Sequence, residues 1–222
     1  MNVIGENIIS LKQEIPVVVK LVAVSKTKPV GDILEAYNAG QRIFGENRAG
    51  EMLLKKDQLP DDIEWHMIGH LQTNKVKSIV SFVSLVHSVD SLRLLKTIND
   101  EALKIRRVVD CLLQFHIATE ETKFGFSIDE AMAMIGSEEF SKFESVRICG
   151  VMGMATFTED NSLVRNEFHA LAGHFRMLKE SYFANIPGFR EISMGMSGDF
   201  RIAIEEGSSM VRIGSLIFGE RK

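Results

Sequence analysis

Short apolar segments alternate with longer amphipathic segments along the whole chain. The apolar segments are rich in Val, Ile and Leu and are bounded by polar residues, which is typical of buried strands. The amphipathic segments repeat apolar positions at helical spacing. The pattern predicts strands at Val17–Ser25, Arg42–Gly45, Glu64–Ile68, Phe82–His87, Val108–Ile117, Ser145–Met154, Glu191–Met194 and Met210–Ile213. It predicts helices near residues 2–14, 29–40, 47–57, 73–80, 91–106, 127–137, 161–182 and 198–206.

Strands that are apolar on both faces and separated by helices indicate a parallel sheet with a helical covering, because a one-sided antiparallel sheet would alternate apolar and polar residues more cleanly. Eight such units in 222 residues predict an α/β fold, a single (β/α)8 TIM barrel with an extra N-terminal helix. A doubly wound open sheet is the alternative. No linker or low-complexity tract interrupts the pattern, so we expect one domain over residues 1–222.

Three local signals mark helix ends. Ser127 followed by Glu130 predicts a capping box at the start of one helix. Thr73 is predicted to cap the start of the helix near 73–80, and Gly40 suits the position just after the helix that ends near residue 40.

Composition and charge narrow the function classes. The chain has 26 Lys and Arg against 30 Asp and Glu, a net charge of −4, so nucleic acid is not an expected partner. The N-terminus, with Glu6 and Lys12, lacks the basic start and hydrophobic stretch of a secretory signal. The strongest apolar run, Val17–Val24, contains Lys20 and is far shorter than the ~20 residues that cross a bilayer. We therefore expect a cytoplasmic protein without a membrane partner.

The cysteines and one histidine pair do not indicate a metal site. Cys111 and Cys149 lie inside apolar runs, which favours reduced core thiols over a disulfide or a metal pair. His66 and His70 are four residues apart but span a strand end and lack the His-Glu-x-x-His pattern of zinc enzymes. We expect no metal ion.

Two further groups of residues have ordinary roles in this interpretation. His169 and His174 lie five apart on a predicted helix, so they are expected on different faces and in contact with solvent. Four methionines are expected to pack around something flat in the barrel mouth: Met152, Met154, Met194 and Met196.

Lys26 is the most informative residue, because the active face of a βα barrel lies at the carboxyl ends of its strands. Lys26 follows the first predicted strand and shares a face with Val22 and Val24, which should point into the barrel. Partial desolvation there would lower the pKa of the amine and free it to form a Schiff base with an aldehyde. The alternative is a strand-end lysine that reaches solvent.

The ends of the last two strands add an anion site and a cation. Ser197, Gly214 and Ser215 fall where barrels hold a phosphate with backbone N–H groups and hydroxyls. Arg212, two residues before Gly214, is on the inward phase and could reach a ring nitrogen or a carboxylate, although a surface ion pair is the other interpretation. A lysine that seeks an aldehyde, a phosphate cradle and an arginine facing a ring together describe a pocket for pyridoxal 5′-phosphate.

Dense motifs in the same order connect the sequence to a known family. The N-terminal part carries Ala23-Val24-Ser25-Lys26-Thr27-Lys28-Pro29, Phe44-Gly45-Glu46-Asn47, Trp65-His66, Ile68-Gly69-His70-Leu71-Gln72 and His87-Ser88-Val89-Asp90. The C-terminal third carries Ser193-Met194-Gly195-Met196-Ser197 and the stretch from Gly207 to Gly219. Over nearly its whole length the chain resembles the pyridoxal-phosphate homeostasis proteins of the YggS and PROSC type.

The resemblance implies a single barrel related to the N-terminal domain of alanine racemase, which binds pyridoxal 5′-phosphate without established turnover. It implies an internal aldimine at Lys26. Ser209 and Ser215 stand where the family often has threonine, and both keep a hydroxyl. The resemblance assigns phosphate contacts to Ser197, Gly214 and Ser215, a ring-nitrogen contact to Arg212, and pocket-lining positions to Asn47, Met196 and His66.

Three function classes follow. The first is a monomeric protein that buffers pyridoxal 5′-phosphate or delivers it to apo-enzymes that depend on this cofactor. The second is an amino-acid racemase, and the third a protein-interaction scaffold. Related racemases take a second base, a tyrosine, from an additional domain, whereas Tyr37 and Tyr182 lie on predicted helices and the chain ends at Lys222 just after the last strand. We therefore expect a carrier without enzymatic turnover, with no catalytic residues.

Overall fold

The computed structural model describes residues 3–119 and 125–220. Eight strands run parallel and pair in chain order, and the last closes on the first, with Arg212 paired with Val22. The strands are β1 Lys20–Val24, β2 Ile43–Glu46, β3 Glu64–Met67, β4 Leu85–Val89, β5 Val109–Gln114, β6 Val146–Met152, β7 Glu191–Ser193 and β8 Met210–Ile213. The predicted TIM barrel is confirmed, and the open sheet is wrong.

Helices surround the barrel and alternate with its strands. They are α1 Val3–Glu14, α2 Val30–Asn38, α3 Ala49–Lys56, α4 Thr73–Ile79, α5 Leu92–Lys104, α6 Ile128–Ile135, α7 Asn161–Ser181, α8 Phe200–Glu205 and α9 Ser215–Phe218. Residue 2, where the first predicted helix begins, lies outside the described residues. The sequence did not indicate α9, because one turn of helix is too short to show a period. The extra helix α1 packs against α2 and α9 and buries Ile8 and Leu11.

Two apolar runs extend beyond the strands that they predict. Val17 and Val18 are exposed and lie in the turn between α1 and β1, so β1 begins at Lys20. Phe82 and Val83 both donate backbone hydrogen bonds to the carbonyl of Ile79 and therefore finish α4 rather than begin β4. An apolar run marks burial or a turn as well as a strand, and its ends are poor markers of strand ends.

Two of the three predicted helix ends are confirmed. Ser127 and Glu130 form the capping box at α6, with both reciprocal bonds present. Gly40 has φ +87° directly after the end of α2, a conformation that glycine adopts without a Cβ penalty. The prediction for Thr73 is wrong: Gln72 occupies the cap position of α4, and its side chain makes no capping bond.

The core has an outer and an inner layer. Alternate strand residues point outwards and pack against the helices, whereas the others fill the barrel. The apolar residues of the inner cluster are Val22, Leu85, Leu112, Cys149, Met152 and Met210. The two cysteines are free and buried, Cys111 in the outer layer and Cys149 in the inner one, and burial raises the pKa of Cys149 to about 11. No helix in the described ranges is both long and apolar enough to cross a membrane.

Candidate functional site at the carboxyl ends of the strands

A cavity of about 590 Å³ opens at the carboxyl ends of the strands. This is the end of a βα barrel at which loops of different strands converge. Seven of the eight predicted site residues line this one cavity: Lys26, Asn47, Met196, Ser197, Arg212, Gly214 and Ser215. Residues separated by up to 189 positions in sequence are therefore neighbours because parallel closure brings their strand ends together.

Lys26 lies two residues beyond β1 and is half-buried. Val22 points into the barrel, and Val24, on the same phase of the strand, lines the cavity beside Lys26. Ser25, on the opposite phase, is fully buried and its N–H donates to the carbonyl of Gly45, so the chain is still paired with β2 there. The period-two argument from sequence therefore places the lysine side chain correctly.

Ser197, Gly214 and Ser215 form a polar wall of the cavity, and we call these three residues the hydroxyl–amide wall. The Gly214 N–H donates to Ser197 Oγ at 3.3 Å, which joins the loop after β7 to the end of β8. Gly195, at the end of β7, has φ +94°, and a Cβ there would lie 2.5 Å from that of Ala203. A glycine is therefore required where the chain turns to present Met196 and Ser197.

Arg212 is a buried cation at the cavity floor, 4% exposed. It donates to Ser193 Oγ at 2.6 Å and to the Gly153 carbonyl at 3.0 Å. Both acceptors are neutral, so within the described ranges the guanidinium is held without an ion pair. Burial lowers the pKa of Arg212 to about 10, against the opposing effect of the Asp199 charge, so the group stays cationic at neutral pH. A desolvated cation that faces a cavity favours a ligand with an acceptor or negative charge.

Asn47 and Met196 both line the cavity. Asn47 Oδ1 is buried and has no hydrogen-bond partner among the described residues. Gly69 permits this placement, because a Cβ at residue 69 would lie 2.5 Å from the carbonyl oxygen of Asn47. An orphaned buried acceptor at a cavity wall is a group that a ligand with a donor would satisfy.

The prediction that His66 lines this pocket is wrong. His66 points into the barrel, but it lies one layer below the cavity and borders a second cavity at the amino ends of the strands. Its Nδ1 is 3.0 Å from Nε2 of His87, and His87 Nδ1 is 2.9 Å from Ser193 Oγ. A period of two gives the face on which a strand residue lies but not its depth along the barrel axis.

His66, His87, Ser193 and Arg212 thus form a continuous buried chain of hydrogen bonds. Arg212 can only donate, so Ser193 Oγ accepts from it. The donor and acceptor roles in the two remaining bonds are set by the tautomers of His87 and His66. Burial lowers the pKa of His66 to about 3 and that of His87 well below its usual range, so both rings are neutral.

The other histidine and methionine predictions are partly wrong. His169 is exposed beside Glu206, as expected. His174 is instead half-buried against the ring of Phe115, because α7 packs that face on the barrel. Of the four methionines, Met154 and Met196 line the cavity, whereas Met152 belongs to the inner core cluster and Met194 to the outer one.

Several lining residues were not singled out from sequence. Lys28 and Gly219 lie together, and Lys28 Nζ donates to the Phe218 carbonyl at 2.8 Å. Beside the predicted Met154, the loop after β6 contributes a further wall through Ala155, Thr156, Phe157 and Thr158. Ser193 and His87 lie below the cavity and support it. Their position on the inward-facing phase of their strands, as for Arg212 and Leu85, is the sequence signal that could have identified them.

Comparison with known proteins agrees with this architecture. The family model described as alanine racemase, N-terminal domain, matches residues 1–222. A pyridoxal phosphate homeostasis protein of Aquifex aeolicus is 41% identical over 204 residues, covering 91% of this chain and 87% of that protein. A protein of the same name from Homo sapiens is 38% identical over 219 residues, covering 91% and 76%.

Solved structures give the same result. PipY of Synechococcus elongatus PCC7942, determined with pyridoxal phosphate bound, superposes with a TM-score of 0.87 at 33% identity, covering 97% of this chain and 100% of that one. An alanine racemase of Clostridium difficile superposes with a TM-score of 0.75 at 13% identity, covering 99% and 60%, which shows a shared fold. The chain therefore belongs to the alanine racemase N-terminal domain family and, within it, to the pyridoxal phosphate homeostasis proteins.

Proposed function

We propose that this chain binds pyridoxal 5′-phosphate reversibly and serves to buffer and deliver it. The observation that carries the proposal is that a lysine, a buried arginine and the hydroxyl–amide wall line one cavity. The names of the relatives and the ligand of PipY support it. On this proposal the whole of residues 1–222 acts as one binding domain.

The residues present fit this ligand. The hydroxyl–amide wall offers donors to a phosphate, and Arg212 keeps guanidinium N–H groups beyond the two that are used below the cavity. The orphaned Asn47 Oδ1 fits a ligand with a donor, which the hydroxyl on the pyridine ring provides. We assign the phosphate to Ser197, Gly214 and Ser215, the ring nitrogen to Arg212, and the sides of the ring to Asn47 and Met196.

Lys26 holds this cargo by a reversible covalent bond. Its unprotonated amine adds to the aldehyde carbon, and the carbonyl oxygen leaves as water, so that a C=N bond forms. Release reverses the step: water or an incoming amine adds to the same carbon, and the Lys26 amine leaves. The reactive aldehyde is thereby masked during storage and is regenerated or passed on at delivery.

The positions of the tyrosines favour a carrier over a racemase, whereas Arg212 alone does not decide between them, because the related racemases also work with such an arginine. A permanently cationic donor at the ring nitrogen keeps that nitrogen unprotonated and weakens the ring as an electron sink. Tyr37 donates to Asp62 at 2.6 Å and Tyr182 lies 3.4 Å from the Met132 carbonyl, and neither tyrosine lines the cavity. We propose that the protein does not turn over free amino acids.

The remaining parts of the proposal concern partners and location. We propose that the protein works as a monomer, because one chain supplies the whole lining described above. Apo-enzymes that depend on pyridoxal phosphate are the proposed recipients. Two buried free thiols suit the reducing cytoplasm, where we place it.

Equilibrium binding tests the function. Wild-type protein, Lys26→Ala and the control Lys75→Ala are titrated with pyridoxal phosphate while the imine absorbance is recorded. Lys75 is exposed and does not line the cavity. We expect an imine band from wild type and Lys75→Ala and none from Lys26→Ala. Wild type without the band would refute the proposal.

The racemase alternative is tested in parallel, because the chain shares its fold with alanine racemase. α-Deuterated alanine is incubated with the loaded protein and loss of the label is followed. We expect no loss above the rate of free pyridoxal phosphate. Loss that scales with protein concentration and disappears in Lys26→Ala would show an enzyme.

A further inference from the structure

The backbone next to Lys26 is strained. Thr27 has φ +65°, in the left-handed region, although it is a β-branched residue. Threonine is disfavoured there because its Cβ crowds the backbone, and such conformations persist only where surrounding contacts enforce them. Thr27 directly follows Lys26, the lysine that the proposed function uses, and contacts around the turn hold Thr27 at positive φ.

Three side chains from the β2–α3 segment hold this turn, and we call Glu46, Glu51 and Lys55 the Lys55 cluster. Lys55 Nζ donates to Glu46 Oε1 at 2.8 Å and to Glu51 Oε1 at 2.6 Å. It also donates to the backbone carbonyl of Ser25 at 2.8 Å. Glu51 Oε1 accepts from the backbone N–H of Thr27 at 2.5 Å. The cluster therefore bonds the backbone on both sides of Lys26.

Burying the charges of the Lys55 cluster costs desolvation free energy, so the cluster is unlike side chains that only fill space in the core. Lys55 is 6% exposed and Glu46 is fully buried. Glu46 accepts from Ser25 Oγ and Lys55 through Oε1, while its Oε2 has no partner among the described residues. A buried ion pair seldom stabilises a protein more than apolar side chains of the same volume would. Its retention beside a strained backbone indicates a positional role.

We propose that Lys55 and Glu51 are positioning residues for Lys26. They fix Ser25 and hold Thr27 in the left-handed conformation, so that the intervening lysine side chain is directed into the cavity. The inference rests on the proposed function of Lys26 as the group that bonds the aldehyde. Neither Lys55 nor Glu51 lines the cavity, so both act through the backbone.

The strain provides a rescue test. Removing Glu51 lets Thr27 relax to negative φ and turns Lys26 away from the cavity. Glycine at residue 27 accepts positive φ without penalty, so Thr27→Gly should restore much of what Glu51→Ala loses. Asparagine, which also tolerates this conformation, should act in the same direction. A loss of general stability would not be repaired by adding a flexible glycine.

The experiment measures presentation of Lys26 directly. Wild type, Glu51→Ala, Thr27→Gly, the double variant and the exposed-site control Glu138→Ala are treated with pyridoxal, which lacks the phosphate, and borohydride. Labelling rates at Lys26 and at exposed Lys75 are compared by peptide mass spectrometry. The Lys26-to-Lys75 ratio should fall roughly tenfold in Glu51→Ala, the order set by one strained residue. It should recover at least half of the loss, on a logarithmic scale, in the double variant.

The outcomes separate this inference from the proposed function. Failure of wild type to bind pyridoxal phosphate would count against the proposed function. The ratio of labelling at Lys26 to labelling at Lys75 is measured with pyridoxal, so it would still test the positioning role. An unchanged ratio in Glu51→Ala, or a double variant as poor as Glu51→Ala, would overturn the positioning role. Lys55→Met should lower the ratio and also the thermal stability of the unloaded protein, because it leaves Glu46 buried without its cation. Unchanged labelling in a folded Lys55→Met protein would likewise overturn its part.

Discussion

The two ends of the barrel treat their charged groups differently. At the amino ends, a cavity of about 400 Å³ is bordered by charged side chains, most of which form ion pairs with each other. Arg147 makes two bonds to Asp110, at 2.7 and 2.8 Å, and Lys20 bonds Glu191 at 2.7 Å. At the carboxyl ends, Arg212 is buried without an ion pair and Asn47 Oδ1 has no partner among the described residues.

The difference indicates that the amino ends of the strands serve the stability of the barrel, whereas the carboxyl ends serve ligand binding. Most charges at the amino ends are paired with a neighbouring opposite charge at a partly exposed surface. At the carboxyl ends, the hydroxyl–amide wall, Arg212 and Asn47 face a cavity. Holding such polar groups there, paired only in part by the described residues, lowers the stability of the fold, which is typical of a binding site. The buried chain from His66 to Arg212 joins the two ends and supports the arginine from below.

The largest expected effect concerns the phosphate. Pyridoxal, which lacks it, should lose the phosphate contacts that we propose for Ser197, Gly214 and Ser215. Two charge-assisted bonds at roughly 1.5 kcal/mol each correspond to about a hundredfold weaker binding. Competition between the two compounds for Lys26, followed by absorbance, measures the ratio. Equal affinities would show that the hydroxyl–amide wall does not bind phosphate.

The buried histidines should make the unloaded protein sensitive to acid. The pKa of His66 is about 3 in the folded state and about 6.5 in the unfolded chain, so below pH 6.5 the unfolded state binds more protons. The contribution of His66 is therefore complete above pH 6.5 and is lost as the pH falls toward 3, by about 2 kcal/mol at pH 5.

Urea unfolding of wild type and His66→Gln at pH 7 and pH 5 isolates this contribution. Glutamine keeps a hydrogen-bonding group beside His87 but does not titrate, so the free energy of unfolding should fall less between the two pH values in the variant. Equal falls in the two proteins would mean that His66 is not buried in its neutral form.

A smaller effect is expected from Ser193→Ala, which removes an acceptor of Arg212 and a hydrogen-bond partner of His87. Leaving the Arg212 donor unpaired costs about 1–3 kcal/mol, so affinity for pyridoxal phosphate should fall roughly tenfold as the arginine shifts. Ser209→Ala is the matched control, because Ser209 bonds Glu191 at the other end of the barrel. A larger loss of affinity in the control would contradict the division between the ends.

The smallest effect is expected from Arg147→Ala. Its side chain is 59% exposed, and the pair with Asp110 is screened by solvent. We expect a fall of at most about 1 kcal/mol in the free energy of unfolding and no change in ligand affinity. Calorimetry and the absorbance titration check both points, and weaker ligand binding would show that the amino-end cavity is coupled to the site.

Sequence was sufficient for the fold and most of the rim, because each strand end is a local signal and barrel closure gathers these ends by a general rule. The alternation of inward and outward residues along a strand was enough to predict that the side chains of Lys26 and Arg212 face the cavity. The pocket-lining position of His66 rests on the family resemblance, and the structure places this residue below the cavity. Phase could not have corrected it, because phase gives the face of a strand residue and not its depth along the barrel.

The Lys55 cluster was also beyond the reach of sequence. Lys55 lies on an amphipathic helix, where a lysine is ordinarily solvated. Its burial depends on the approach of α3 to the turn after β1, a contact between elements that no periodicity records. The left-handed Thr27 is similarly invisible, because threonine gives no signal for positive φ.

The most direct test of the central claim is the site of covalent attachment. Wild-type protein is loaded with pyridoxal phosphate, reduced with borohydride, digested and mapped by mass spectrometry. Our account predicts one phosphopyridoxyl group per chain, on Lys26, and its absence from Lys26→Ala at unchanged secondary structure. A label on Lys28 or Lys75 in place of Lys26 would contradict it.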